Sequence, residues 1–421
     1  MTSTYTDASA LNGMFKDIFG DGIENLIPET AILAKDVPFS EANKIGEHYV
    51  FPVMLSHEHG ITYLGEDSSV ATLEDHESAV YKEAQVDSSS TVLRSAISYS
   101  AADKMSSSKV AFINWGEMLF GNMTASIAKR NELDFLHGRQ GWGTISGVSD
   151  SSGTNVLTLA NDFSAGIWAG MEGARLDAFD TVDGTKQNTN AQLVVSSVDF
   201  ANKTVTVTGN ATDTAALAQG DILFPKASNS GSGTHKAMAG LDRIVTNAGS
   251  LFNISAATYN LWKGQSYSAA SAPLNLNKIF KGAAQAMALG AEGDYCVLVH
   301  PDTFSDLNSD ESALRRHSSG YRQSKSDAGF DELCFYNGST KLIVKNHIYM
   351  KPNQAQGYPK KYLKRIGTTD ITFKLKGAAA GGDVFDHLSD KSGYEIRCRS
   401  DQAIFCTKPA WLVKWTGIVN S

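Results

Sequence analysis

Proline is scarce in this chain of 421 residues, with nine in all, and only four cysteines occur. So little proline argues against a proline-rich disordered tail. Cys296, Cys334, Cys398 and Cys406 form no C-x-x-C pair, and none has a histidine at zinc spacing. They read as reduced thiols packed in strands, as in a cytosol. No apolar run reaches the roughly 18 residues of a membrane span. The start, MTSTYTDASALNG, lacks the basic and apolar stretches of a signal peptide, so a soluble protein made in a cytoplasm is expected. No G-x-S-x-G, H-E-x-x-H, Walker loop or strand-linked G-x-G-x-x-G is present. Nothing therefore nominates an active site, and no enzyme activity, metal or cofactor is expected. The formal net charge of -8 argues against a protein built to grip DNA phosphates. Pairing of chance motifs is equally weak: Asn202-Lys203-Thr204 matches a glycosylation pattern without meaning in a cytosolic protein.

What is present is an order of segments, on a chain long enough for two to four sub-domains. Residues 8–27 space Leu11, Met14, Phe15, Ile18, Phe19, Ile23, Leu26 and Ile27 along one helical face; Gly20 and Gly22 leave two short helices open as an alternative. The other face is acidic, which favours docking on a partner subunit over a membrane. GEHYVFPVMLSHEHGITYL (46–64) reads as strand, 65–90 is polar and acidic, and TVLRSAISYS (91–100) returns as strand. This predicts a long hairpin with too little core to stand alone. From Asp103 to Leu136 the pattern is helical, with Phe112, Trp115, Leu119, Met123 and Ile127 at steps of three or four and Gly138 as a stop. Such a rod is roughly 45 Å long. Residues 144–237 alternate short apolar runs with Ser, Thr, Gly and Asn, predicting an all-β insertion, a barrel or a sandwich. NLNKIFKGAAQAMALG (275–290) is a helix capped by Asn275 and ended by Gly290, YCVLV (295–299) is a buried strand, and Pro301 opens a short helix. Residues 311–327 form a charged loop, and strands resume at 341–350, 394–399, 403–407 and 410–415.

Three clusters have a chemical and a structural reading. His57-Glu58-His59 places two imidazoles on one strand face, but no further ligand is marked, and an exposed polar hairpin suffices. His300-Pro301-Asp302 lies where catalytic groups sit in α/β enzymes, yet a helix start explains it. Lys360, Lys361, Lys364 and Arg365, interleaved with Tyr358 and Tyr362, could touch nucleic acid; a solvated or subunit-pairing loop is the default.

The order of segments resembles the major capsid proteins of tailed bacteriophages, the Hong Kong-type capsid fold. GEHYVFPVMLSHEHGITYL is similar to the outgoing strand of that family's E-loop, and the helix ending KRNELDFLHG (129–138) to its spine helix. GLDRIVTNAG (240–249), NLNKIFKGAAQAMALG and CVLVHPDTFSDL (296–307) resemble the way into its axial domain. SDQAIFCTKPAWLVKWTGI (400–418) resembles the return strands of its peripheral domain. The resemblance implies an α+β fold divided into an N-terminal arm (1–46), an E-loop hairpin (47–100), the spine helix of a peripheral domain (101–143), an inserted β-barrel or sandwich (144–237), an axial domain with connecting peripheral segments (238–385) and closing peripheral strands (386–421). It implies pentamers and hexamers tiled into an icosahedral shell around double-stranded DNA, in a virion assembled in the bacterial cytoplasm. Expected partners are further copies of the chain, a separate scaffolding protein (the arm is too short for a fused one), a portal, a decoration or cement protein, and DNA held weakly. Inter-subunit contacts are expected at Phe15, Ile18, Phe19, Tyr49, Phe51, Tyr63, Lys82, Arg94, Arg315 and Arg316. Lysine–asparagine cross-linking stays open, since Lys82 near the tip has no identified partner. Rival readings are an encapsulin-type compartment, a β-rich carbohydrate-binding or hydrolytic protein, and a tail or baseplate component.

Overall fold

The computed structural model describes residues 31–42, 48–66, 72–100, 115–151, 153–231, 233–309, 332–337, 340–373, 386–387 and 391–420. Three larger sheets, a two-stranded hairpin and one long helix organise them. The helix, Trp115–His137, is about 35 Å long at 1.5 Å per residue. Its expected first turns, 101–114, lie outside the described residues. Leu119, Met123 and Ile127 fall on one face, as their spacing requires, and pack with Leu93, Ile371, Ile396 and Cys398 of the peripheral sheet. Towards its C-terminus the helix is buried all round, with Asn131, Glu132, Asp134 and His137 buried alongside Leu133 and Leu136. Gly138 ends it where the chain must pass residues 238–240. A Cβ there would stand 2.4 Å from the carbonyl oxygens of Asp134 and Met238.

The peripheral sheet pairs Leu363–Thr372 with Gly393–Cys406, adds Phe39–Glu41 parallel to the former, and seats Ser89–Ser98 antiparallel on the latter from Ser89↔Gln402 to Ser98↔Gly393. This corrects the expected hairpin. The strand pairing with Tyr49–Met54 is Tyr81–Val86, inside the stretch read as polar. Residues 91–100 were expected as its return strand. Instead, Leu93 and Ile97 find an apolar face in the peripheral sheet that a bare hairpin could not offer.

The insertion is a seven-stranded antiparallel sheet running from Gly143–Thr144 to Ile222–Pro225. Its alternation is plain in Thr204–Thr208, where Val205 and Val207 are buried and the threonines are half-buried. The turn at 199–203 forms as expected, the Asp199 carboxylate accepting the amides of Ala201 and Asn202 at 2.9 and 3.0 Å. The sheet does not own a separate core. Leu157, Trp168, Leu176 and Leu223 belong to one continuous apolar cluster with Leu133 and Leu136 of the spine helix and Tyr349 and Met350 beyond it. Ser164 Oγ donates to Ile348 O at 2.7 Å, and Asp162 accepts from Asn353 at 2.7 Å. The insertion is thus packed into the body of the subunit.

The third sheet is mixed, in the order Gln265–Ala272, Val413–Ile418, Gln354–Pro359, Gly293–Val299, Thr340–Asn346, Glu332–Asn337. The continuous apolar run of residues 295–299 is explained by burial on both faces. Tyr295, Val297 and Val299 meet helices Leu276–Ala288 and Pro301–Ser309, while Cys296 and Leu298 face the main core. Asn275 caps the first helix by accepting from Lys278 N at 2.9 Å. Residues 413–418, expected to close the peripheral domain, instead join this sheet, where Trp415 fills the space above Gly282 and Gly357. Residues 341–350, expected as one strand, stop pairing at Asn346 and turn.

Candidate assembly surfaces

The hairpin has a packed root and a bare tip. At the root Tyr49, Ala84 and Val86 are buried in the main core. Phe51 stacks on Phe405 with ring centroids 4.9 Å apart, and Gln85 N donates to Phe252 O at 3.0 Å. Tyr49 is thus buried within its own subunit, and Phe51 is half-buried there. Beyond Met54 the ladder ends. Past it the two arms are tied, among the described residues, by the bond of Leu55 N to Val80 O (2.9 Å), the bridge His59↔Glu77, and the bonds of Val80 N to Ser56 Oγ (3.0 Å) and Glu74 N to Thr62 Oγ1 (2.8 Å). Ile61, Tyr63, Leu64 and Leu73 are 71, 93, 61 and 73% exposed. Such a concentration of bare apolar side chains marks an interaction surface. Lys82 sits exposed opposite Val53 near the last ladder pairs.

Arg94 lies on the peripheral sheet, not on the hairpin, and pairs with buried Glu395 at 2.5 Å, which also takes Arg397. Phe15, Ile18, Phe19, Arg315 and Arg316 lie outside the described residues. The basic cluster at 360–365 is split between inside and outside. Tyr358 is buried, Lys360 stands 3.7 Å from Asp36, and Arg365 is buried against Gln402 and Asp370. Lys360, Lys361 and Lys364 are exposed, and Lys361 and Lys408 lie over the Tyr362 ring at 5.7 and 4.4 Å. His300 Nδ1 accepts the Asp302 amide at 3.2 Å at the start of its helix, which is a capping role. Cys296 and Cys406 are buried and free, their thiols pushed by burial up to about 11 and about 12.

Two features carried no obvious signal. One is the anchor of the first described helix, Ile32–Asp36. Glu132, fully buried in the spine helix, accepts the amides of Leu33 at 2.6 Å and Ala34 at 3.1 Å and the Nε2–H of His347 at 2.9 Å. Because His347 Nδ1 accepts the Tyr349 amide at 3.2 Å, Nε2 is the protonated nitrogen. The other feature is a groove of about 470 Å³ between the spine helix, residues 91–93 and the insertion. Ile127, Trp142 and Met171 give it apolar walls, while Lys129, Arg130, Arg175 and Lys226 contribute cations and no carboxylate lines it. Arg130 lies over the Trp142 ring at 4.7 Å and bonds Asp134 at 3.2 Å. Lys129 donates to Ala169 O at 2.7 Å, and burial lowers its amine to about 8.

A spine helix under a peripheral sheet, a mixed axial sheet with two covering helices, a projecting hairpin and an inserted sheet define an α+β fold class. No family model and no curated protein matches the sequence. Solved structures do. The capsid asymmetric unit of cyanophage A-1(L) superposes over 98% of each chain with a TM-score of 0.55 at 10% identity. The capsid of Myoviridae phage XM1 covers 99% of this chain and 100% of its own at 0.48 and 6% identity. The A-1(L) likeness establishes the fold: the chain has the Hong Kong-type capsid fold over nearly its whole length.

Proposed function

We propose that this chain is a major capsid protein, a structural subunit that self-assembles into pentamers and hexamers of an icosahedral phage shell around double-stranded DNA. The observation that carries this is a full-length capsid fold with a hairpin whose apolar tip has no packing partner in its own subunit among the described residues. Burying apolar surface yields roughly 25 cal/mol per Å², so several exposed side chains on each copy supply a driving force that repeats around a closed ring. The net charge of -8 suits a container that holds DNA loosely. A scaffolding protein, a portal and a decoration or cement protein are the further partners this reading implies, with assembly in the host cytoplasm. The test is trypsin digestion of free and assembled protein. Cleavage after Lys82 should be fast in free subunits and suppressed in particles, because cutting needs local opening. Equal rates in the two states would count against the hairpin as an assembly element.

A further inference from the structure

The spine helix ends at His137, and two residues on Arg139 takes a φ of 63°. After a helix end this left-handed conformation ordinarily falls to glycine, because a Cβ is strained there. Arginine at that position is explained by its side chain, which is only 14% exposed. Its Nε–H donates to Ala237 O, at the far end of the insertion, at 2.8 Å. Its Nη2 stands 3.8 Å from Asp87 Oδ2, at the base of the hairpin. The strain is offset by contacts that join two elements through the end of a third.

Both ends of this link continue. Asp87 follows the last residue of strand Tyr81–Val86, and its other oxygen lies 2.5 Å from Nδ1 of His48, which precedes the facing strand. One carboxylate therefore closes the hairpin base and also takes the guanidinium. On the insertion side Asp183, in the loop after strand Arg175–Phe179, receives His235 Nε2 at 2.8 Å and Arg243 Nη2 at 3.2 Å. The charges of Asp87 and Asp183 both favour the charged form of Arg139, and that of Arg243 opposes it. Base and acid thus alternate from His48 to Arg243 across the hairpin, the helix end and the insertion.

We propose that Arg139 is a latch that sets the hairpin base against the insertion, so that a change at the Asp183 loop is transmitted to the hairpin. The latch is a conformational device of the single subunit and does not depend on the shell reading. Its leverage comes from length. Tyr63 lies fifteen residues beyond His48, up to roughly 50 Å along an extended arm, so a tilt of about 10° at the base carries it roughly 9 Å. Coupling along such a chain of contacts is demonstrated by perturbing one end and reading the other.

Amide hydrogen exchange on the free full-length subunit tests it. The ladder amides of Tyr49–Met54 and Tyr81–Val86 report on the hairpin base. Arg139→Gly removes the side chain and relieves the backbone, and those amides should exchange about tenfold faster while the spine helix exchanges as before. Asp183→Asn, in the insertion, should speed the same hairpin amides about threefold, the scale of a partly exposed ion pair. That second effect should vanish in an Arg139→Gly background, because the latch that carries it is gone. Should Arg139→Gly fail to fold, Asp87→Asn, which keeps the side-chain volume, takes its place as the background with the same expectations. Hairpin amides that exchange in the latch variant as in the unmodified protein overturn the proposal. So does an Asp183→Asn effect that is absent, or that persists undiminished without the latch. Acceleration spread evenly over hairpin and spine helix marks Arg139 as a general stabiliser and overturns it too.

Discussion

Glu132→Ala is the perturbation whose cost the structure specifies most fully. The carboxylate is wholly buried and receives three donors: the amides of Leu33 and Ala34 and the Nε2–H of His347. Each buried donor left without an acceptor costs about 1–3 kcal/mol. The helix Ile32–Asp36 can detach and let water reach its two amides, which caps the sum. His347, fully buried and pinned by the Tyr349 amide, has no such escape. The net expectation is about 3–5 kcal/mol, the range for removing one partner of a buried pair. Glu132→Gln keeps the volume and one acceptor, but turns an N–H donor toward donors, and should cost about 2–3 kcal/mol. Urea unfolding of the free subunit measures both. Hydrogen exchange should also show the amides of Leu33 to Val37 opening before the peripheral sheet. A loss under about 1 kcal/mol for both variants would refute the view that this carboxylate anchors the first helix.

Gly282→Ala should destabilise the subunit by about 1–3 kcal/mol, although alanine ordinarily stabilises a helix interior. The new Cβ would stand 2.3 Å from Trp415 Nε1, and thermal melts check the sign. Asp242 is held well below the usual carboxylate range. Burial pushes it up, but Lys414 at 2.6 Å and His137 at 3.9 Å outweigh that. A depressed folded-state value gives stability that is complete above the unfolded value of about 4 and lost as pH falls. Asp242→Asn should therefore lower stability at pH 7 and flatten its decline below about pH 4. Trypsin should cut free subunits quickly after Lys82 and slowly after Arg94, whose strand is paired on residues 393–402 and whose guanidinium is held by Glu395. Similar rates at both sites would place Arg94 on the mobile hairpin after all.

The parts of this fold legible in the sequence are those whose pattern serves one neighbour. The helix face of Leu119, Met123 and Ile127, the doubly buried 295–299 and the alternating Val205 and Val207 each state their burial in their spacing. What was illegible depends on partners far along the chain. Residues 91–98 have the same composition whether they pair with a hairpin arm or with 393–402, and local alternation cannot choose between them. Residues 413–418 read equally well as the end of either sheet. Nor could local alternation show that Phe252 and Phe405 arrive from elsewhere to cover the hairpin root at Tyr49 and Phe51 while Tyr63 is left exposed. The cations of the groove come from three separate elements, so no local motif announces them.

Negative-stain electron microscopy of the full-length protein, expressed alone and with a co-expressed scaffolding protein, tests the central claim most directly. The account predicts closed shells or capsomer rings of uniform diameter in at least one condition, with Tyr63→Asp reducing their yield while leaving the thermal stability of the free subunit unchanged. A unmodified protein that stays monomeric at high concentration in both conditions would contradict it.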